Sequence, residues 1–468
     1  MTNPQAALRQ ILPVLGLQNG ASATFSGGAD PVFRTPFRVG VAGAATVAAA
    51  GLAAAQLWER RTGSRQQVGV DLRHASASLR SGTYMKLGDG AVSHARNSIM
   101  GFYPTRDGRW SYLHCNFPNH RAVALRVLGV AEEDRAAVAR AVAQWDATDL
   151  EEAIIANKGA GGMVRTGAEW AQHPQGKAVA ALPLIEIVKI GDAPPEPMPK
   201  GDRPLSGIRV VDITRVLAGP TCARTLAEHG ADVMKITAGH LPNLGYQEWD
   251  TGHGKLSAQL DLRDPAQLET LRGLIRRADV FSQGYRPGSL GARGLAPEEL
   301  AALRPGLVYV SLSAFGHAGP WAARRGFDTV IQSVSGITLR QAELFPGKEP
   351  GPQFYPLSAI DYCTGYLMAA GAMVALARRA QEGGSWLVRT SLAQVGKWIV
   401  DFGEVPEAAL GNVPAEFERS EIESWSMTSQ TRSGPLRHLR PVAQLAETPA
   451  RWARPSVPLG YHPPAWPA

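Results

Sequence analysis

The sequence predicts an α/β protein: an open, mostly parallel, doubly wound Rossmann-like sheet, with a second, smaller α+β domain. Between residues 205 and 400, short apolar runs alternate with helical stretches. The runs are IRVVDI (208–213), ADVMKI (231–236), LSAQLDL (256–262), DVFSQ (279–283) and LVYVSLS (307–313). Parallel strands covered on both faces need such near-continuous apolar runs, and parallel neighbours need crossover segments between them. Length is the second observation. A chain of 468 residues exceeds what one core ordinarily covers, so two or three domains are expected.

Taken in order, residues 1 to about 35 read as irregular, with FSGGADP as a loop. Val39 to Trp58 carries no charge and is dominated by Ala and Gly, which gain little from lipid, so a buried helix is expected rather than a membrane span. Arg60, Arg61 and Gly63 close it. A strand, Gln67 to Leu72, and a helix from His74 follow. YPTRDGRWSYLHC reads as two strands around an Arg-Asp-Gly turn, ahead of helices at His120–Leu128, Glu132–Trp145 and Ala147–Asn157. The prolines of Gly191 to Pro204 make a stiff linker. The division expected is a partial repeat (1–100), a small α+β domain (101–190), a linker (191–204), a Rossmann-like domain (205–400), and a C-terminal extension (401–468) packing back on it.

Composition narrows the function. Hydrophobic content of 44% and charged content of 19% describe a soluble globular chain. The formal charge of +7 is spread without a polybasic block, which favours an anionic small ligand over nucleic acid. Cys115, Cys222 and Cys363 are far apart, so a reducing compartment without disulfides is expected. No basic region followed by an apolar core opens the sequence, and a cytoplasmic protein is inferred. His114, His120 and His173 lack ligand-like spacing; they read as surface or hydrogen-bonded histidines, and no metal is expected. The strand at 208–213 is followed by TRVLAGP, which is neither a dinucleotide fingerprint nor a phosphate loop, and no Gly-x-Ser-x-Gly elbow is present.

The stretch that carries chemistry is Tyr355 to Leu392. Its one acid before a basic turn is Asp361, at the entry to a small-residue helix with no charge from Tyr366 to Ala377. An Asp there is often only a helix cap. An internal comparison weakens that reading. At a constant offset of 320, Pro36 meets Pro356, Gly51 meets Gly371, Gly63 meets Gly383 and Leu72 meets Leu392, while Val41 stands at the position of Asp361. The frame therefore does not need a carboxylate to fold.

Several motifs in order resemble the family III CoA-transferases, the group of formyl-CoA and carnitine CoA-transferases with α-methylacyl-CoA racemase as a relative. They are PLSGIRVVDITRVLAGP, GADVMKI, KLSAQLDLRDP, GYRPGSLGARGL, YVSLSAFGHAGPWAARRGFD and the stretch around Asp361. Residues 36 to about 195 resemble the family's catalytic-helix unit and small domain, placed ahead of the nucleotide-binding part.

The resemblance implies that Asp361 attacks an acyl-CoA thioester, and that CoA passes through an aspartyl anhydride and an aspartyl-CoA thioester to a carboxylic acid acceptor. Coenzyme A or acyl-CoA is then the substrate, with no tightly bound cofactor, no membrane partner, and a homodimer, interlocked in the family's manner, as the assembly. It also implies a CoA site at Leu217, Ala218, Leu260, Arg263, Gly284, Tyr285, Arg286, Arg325, Gly326, Phe327 and Asp328. The bottom-up reading agrees in kind for Arg263, Arg286 and Arg325, which stand near strand-end loops and suit phosphate. Gly365 is expected to let the thioester approach.

Some positions depart from the family's pattern. KITAGH has Thr237 and Ala238 where a phosphate contact is usual, with Lys235, His240 and Lys255 nearby to compensate. Gly326-Phe327-Asp328 lacks the His that family racemases use as partner base. The transferase reading therefore leads, ahead of an acyl-CoA racemase and of a non-catalytic CoA-binding protein.

Overall fold

The computed structural model describes residues 3–17, 22–92 and 96–467. The opening segment is not irregular. A helix spans Pro4–Leu15, because Asn3 caps it by accepting from the Ala6 N–H at 2.8 Å, Pro4 fits its first turn, and Gly16 closes it in the left-handed conformation. Next come strand β1 (Thr24–Ser26), helix α1 (Val39–Thr62), strand β2 (Val68–Asp71) and helix α2 (Leu72–Ser78). Strands Gly101–Pro104 and Trp110–Leu113 pair antiparallel around the expected turn, and helix α3 (Pro118–Leu128) follows.

The large sheet is built from β3 (Glu186–Gly191), β4 (Arg209–Asp212), β5 (Asp232–Thr237), β6 (Lys255–Gln259), β7 (Val280–Gln283), β8 (Val308–Ser313) and β9 (Ser385–Ser391). Its order is β6-β5-β4-β7-β8-β9-β3. Every pair is parallel except β9 with β3. The fold is thus mixed α/β with a large, mostly parallel sheet and smaller sheets beside it, in line with the alternation in the sequence. Helix α4 (Ala218–Glu228) crosses from β4 to β5, and α5 (Asp328–Val334) and α6 (Ala359–Glu382) lie between β8 and β9. Helix α7 (Leu392–Asp401) follows β9, and a short strand β10 (Gln444–Leu445) comes late in the chain.

Helices α1 and α6 are apolar all round and long enough to cross a membrane, yet both are buried in the fold. Such a helix must find partners on most of its circumference. Helix α6 packs on α1 on one side and α4 on another. Its approach to α4 depends on Gly365, where a Cβ would come within 2.5 Å of the Ala218 carbonyl oxygen and 2.6 Å of Thr221 Cβ. Gly365 therefore serves helix packing, and the expectation that it clears space for a thioester is corrected.

The repeat is visible in the architecture. Both α1 and α6 have 24 residues, each position in α6 being numbered 320 above its counterpart. Strand β2 lies between β1 and β10 as β9 lies between β8 and β3. The registers also match: Ser26 faces Asp71 as Ser313 faces Ser391, and Leu445 faces Val68 as Ile187 faces Val388. The small sheet reproduces one edge of the large sheet and has no counterpart of β4 to β7 among the described residues.

Candidate active site

In the large sheet the chain runs outward from β4 through β5 to β6 on one side, then crosses back to β7 on the other side of β4. Loops at the carboxyl ends of β4 and β7 therefore diverge and leave a crevice, the usual ligand position in an open α/β sheet. A cavity of about 360 Å³ opens there. Its wall includes Val216, which holds φ at 73°. A β-branched residue rarely adopts this conformation, and such strain gathers at functional loops.

Asp361 lines this cavity from the first turn of α6. It is 7% exposed, and its carboxylate has no hydrogen-bond donor among the described residues. The cap role belongs to another acid. Asp328, at the start of α5, accepts the N–H of Asp361 at 3.1 Å and that of Ile360, while the Gln332 amide donates to its second oxygen. Ser358, at the N-cap position itself, makes no side-chain bond. Burial first, and then the charge of Asp328, push the Asp361 carboxyl well above the ordinary range. Burial likewise raises Asp328, to about 6.

The same device stands at α1. Asp30 accepts the N–H groups of Gly40 at 3.1 Å and Val41 at 2.8 Å, and burial raises it to about 6. The earlier unit thus keeps the capping acid and lacks the second carboxylate. A carboxylate that caps nothing, set beside one that does, is what distinguishes α6.

Of the residues expected to hold CoA, Leu217, Ala218, Gly284, Tyr285, Arg286, Arg325, Gly326 and Phe327 line the cavity together with Asp361. Leu260 and Arg263 line a separate, smaller cavity that shares Tyr285 with the first. Arg263 is largely exposed and bonded to Asp261 at 2.6 Å. Asp328 lies beneath Asp361 outside the cavity wall, because its carboxylate is turned to the α6 N-terminus. Arg286 and Arg325 have no acidic partner among the described residues. Burial, then the charge of Arg286, lowers the Arg325 guanidinium from its usual value. Two such cations side by side suit an anion.

Lys235 and Lys255 do not compensate for Thr237 and Ala238. Both are buried and neutralised inside the sheet, Lys235 by Glu248 and Lys255 by Asp212 at 2.9 Å, as buried charges require. His240 is the one of the three that lines a cavity, the smaller one.

Arg215, Phe117 and Asn119, which the sequence did not single out, also line the wall, as does His120 from the start of α3, which it read as a surface or hydrogen-bonded histidine. His114 and His120 are neither at the surface nor hydrogen-bonded through Nδ1; they are 5% and 7% exposed. His114 stacks on Phe327 with ring centroids 3.8 Å apart, and His120 meets the same ring edge-on at 5.6 Å. A signal existed in LHCNFPNH, where histidines and phenylalanine recur at intervals of three residues, but it carries no ligand spacing.

Several known proteins resemble this chain in sequence. The chain is 30% identical to an acetyl-coenzyme A transferase of Hypoxylon pulicicidum over 330 residues, 66% of this chain and 55% of that protein. It is 31% identical to an acyl-CoA transferase of Gibberella moniliformis over 344 residues, 69% of this chain and 60% of that one. The chain thus spans little more than half the length of these relatives. Among solved structures, a CAIB/BAIF family protein from Brucella suis shares 28% identity over 50% of this chain and 65% of that one, with a TM-score of 0.40. The sequence profile of CoA-transferase family III matches residues 14–194 and 205–430, and the chain belongs to that family.

Proposed function

We propose that the chain is a CoA-transferase that moves CoA from an acyl-CoA thioester to a carboxylic acid through covalent intermediates on Asp361. The observation that carries the reading is the cavity-facing carboxylate of Asp361, in a wall shared with Arg286 and Arg325, which have no acidic partner among the described residues. An Asp361 oxygen adds to the thioester carbonyl and the C–S bond breaks, giving an aspartyl-acyl anhydride and CoA thiolate. The thiolate attacks the aspartyl carbonyl, and the donor acid leaves as its carboxylate. The acceptor carboxylate then attacks the aspartyl-CoA thioester and expels the thiolate. Attack of that thiolate on the acyl carbonyl releases the new acyl-CoA and restores Asp361. No water enters, so the thioester's free energy is retained. Desolvation of the buried Asp361 strengthens the carboxylate as a nucleophile once ionised.

The names of relatives support both substrate classes; one acts on acetyl-CoA and oxalate, and another on succinate and glutarate. The direct test is Asp361→Asn, measured by exchange of labelled CoA between an acyl-CoA and its acid. Exchange is expected to fall by at least about a thousandfold with CoA binding retained. Retained exchange would remove Asp361 from the chemistry.

A second reading, α-proton exchange on an acyl-CoA, gains from His120, a second titratable side chain in the same cavity. It predicts deuterium wash-in at the α-carbon with no acceptor acid present, and the transferase reading predicts none.

A further inference from the structure

The start of α3 is the part of the cavity wall that comes from ahead of β4 in the chain, from the half whose own long buried helix carries Val41 in place of the acid. His120 sits there at 7% exposure, its Nδ1 shut off from solvent with no hydrogen-bond partner among the described residues. Contacts with Phe117 and Phe327 fix its ring, with centroids 5.8 Å and 5.6 Å away. On the same wall the Arg215 Nε is also buried without a partner among the described residues, and its guanidinium lies 5.7 Å from the centre of the Phe117 ring. Buried polar nitrogens left unpaired are uncommon and costly. Here two lie behind the wall of one cavity, on side chains that line it together with the proposed nucleophile.

Burial, then the charges of Arg325 and Arg215, hold the His120 imidazole neutral, down to about 4. A neutral imidazole flanked by cations is a weak base and a good hydrogen-bond donor to an anion. Its Nδ1 is walled in, so Nε2 is the nitrogen it can offer. The strand-end loops already provide the arginines suited to CoA, and the substrate still without a binding group is the acceptor acid.

We propose that His120 is the specificity residue for the acceptor: its imidazole N–H donates to the acceptor carboxylate, and Arg215 supplies the balancing charge. This rests on the transferase reading, and the experiment separates the two. With acetyl-CoA as donor and succinate or acetate as acceptor, His120→Ala should raise the acceptor KM by about tenfold or more. The burst of CoA-bound Asp361 from acetyl-CoA alone should stay within about twofold of the unaltered chain. His120→Gln, which places an amide N–H near the Nε2 position, should recover most of the acceptor KM. In the unaltered full chain, the 15N signals of His120 should shift when either acid is added. An unchanged acceptor KM in His120→Ala, a burst that falls in step with it, or 15N signals indifferent to both acids would overturn the assignment alone. Absence of any CoA-bound Asp361 in the unaltered chain would overturn the transferase reading, and the assignment with it.

Discussion

At the scale of single residues, the site turns on two acids with divided tasks. Asp328 holds the α6 N-terminus, and Asp361 is left with an accessible carboxylate. This division was only half legible in the sequence. The repeat, with Val41 opposite Asp361, showed that the frame folds without that acid, but the capping role of Asp328 depends on a contact between residues 33 apart in the chain. His120 carries no ligand spacing in the sequence, and its place at the site follows from burial against Phe327, a residue far along the chain.

The pH dependence follows from the same pair. Asp361 is a nucleophile only when ionised, and burial and Asp328 both raise its pKa. The first half-reaction should therefore fail as pH drops through that raised value, at higher pH than an ordinary aspartate would allow. Asp328→Asn keeps an oxygen for the cap and removes a neighbouring negative charge, so the acid limb of the burst-rate profile should move to lower pH. A limb that stays in place or moves to higher pH would show that Asp328 does not set the ionisation.

At the scale of elements, helix α6 is the axle of the molecule, buried against α1 and α4. Its small residues predicted that burial, because an all-round apolar helix of Ala, Gly and Met has no solvent face. The contact at Gly365 was not legible, since closeness to Ala218 and Thr221 is set by how two distant helices cross. Gly365→Ala forces a methyl group into backbone and should destabilise the chain by about 1–3 kcal/mol in chemical denaturation. A loss near zero would mean that α4 and α6 can separate freely. Other elements escaped sequence reading for similar reasons. The helix Pro4–Leu15 is held by local caps around a segment with two prolines, and β3 owes its antiparallel place to pairing with a strand about 200 residues later.

At the scale of the whole molecule, the chain contains two related helix-strand units, of which one has a full sheet and the cavity-facing Asp361. The large sheet was readable because each parallel strand is an apolar run between turn signals. Of the small sheet only β2 was readable, because the other two strands are two or three residues long and one arrives from residue 444. The earlier unit lacks both the acid and the strands whose loops would surround it. Val41→Asp should therefore add no second reactive site, and at neutral pH its desolvated carboxyl should cost roughly 2–4 kcal/mol of stability. Measured CoA exchange per chain rising in that variant would show that the earlier unit is more complete than its architecture suggests.

The central claim is that one carboxylate, Asp361, carries CoA. The most direct measurement is mass spectrometry of the full chain quenched after mixing with an acyl-CoA, followed by peptide mapping. The account predicts a single CoA-sized adduct per chain, on the peptide containing Asp361, cleaved by hydroxylamine and absent in Asp361→Asn. An adduct mapped to any other residue, or steady CoA transfer with no adduct under quench, would contradict it.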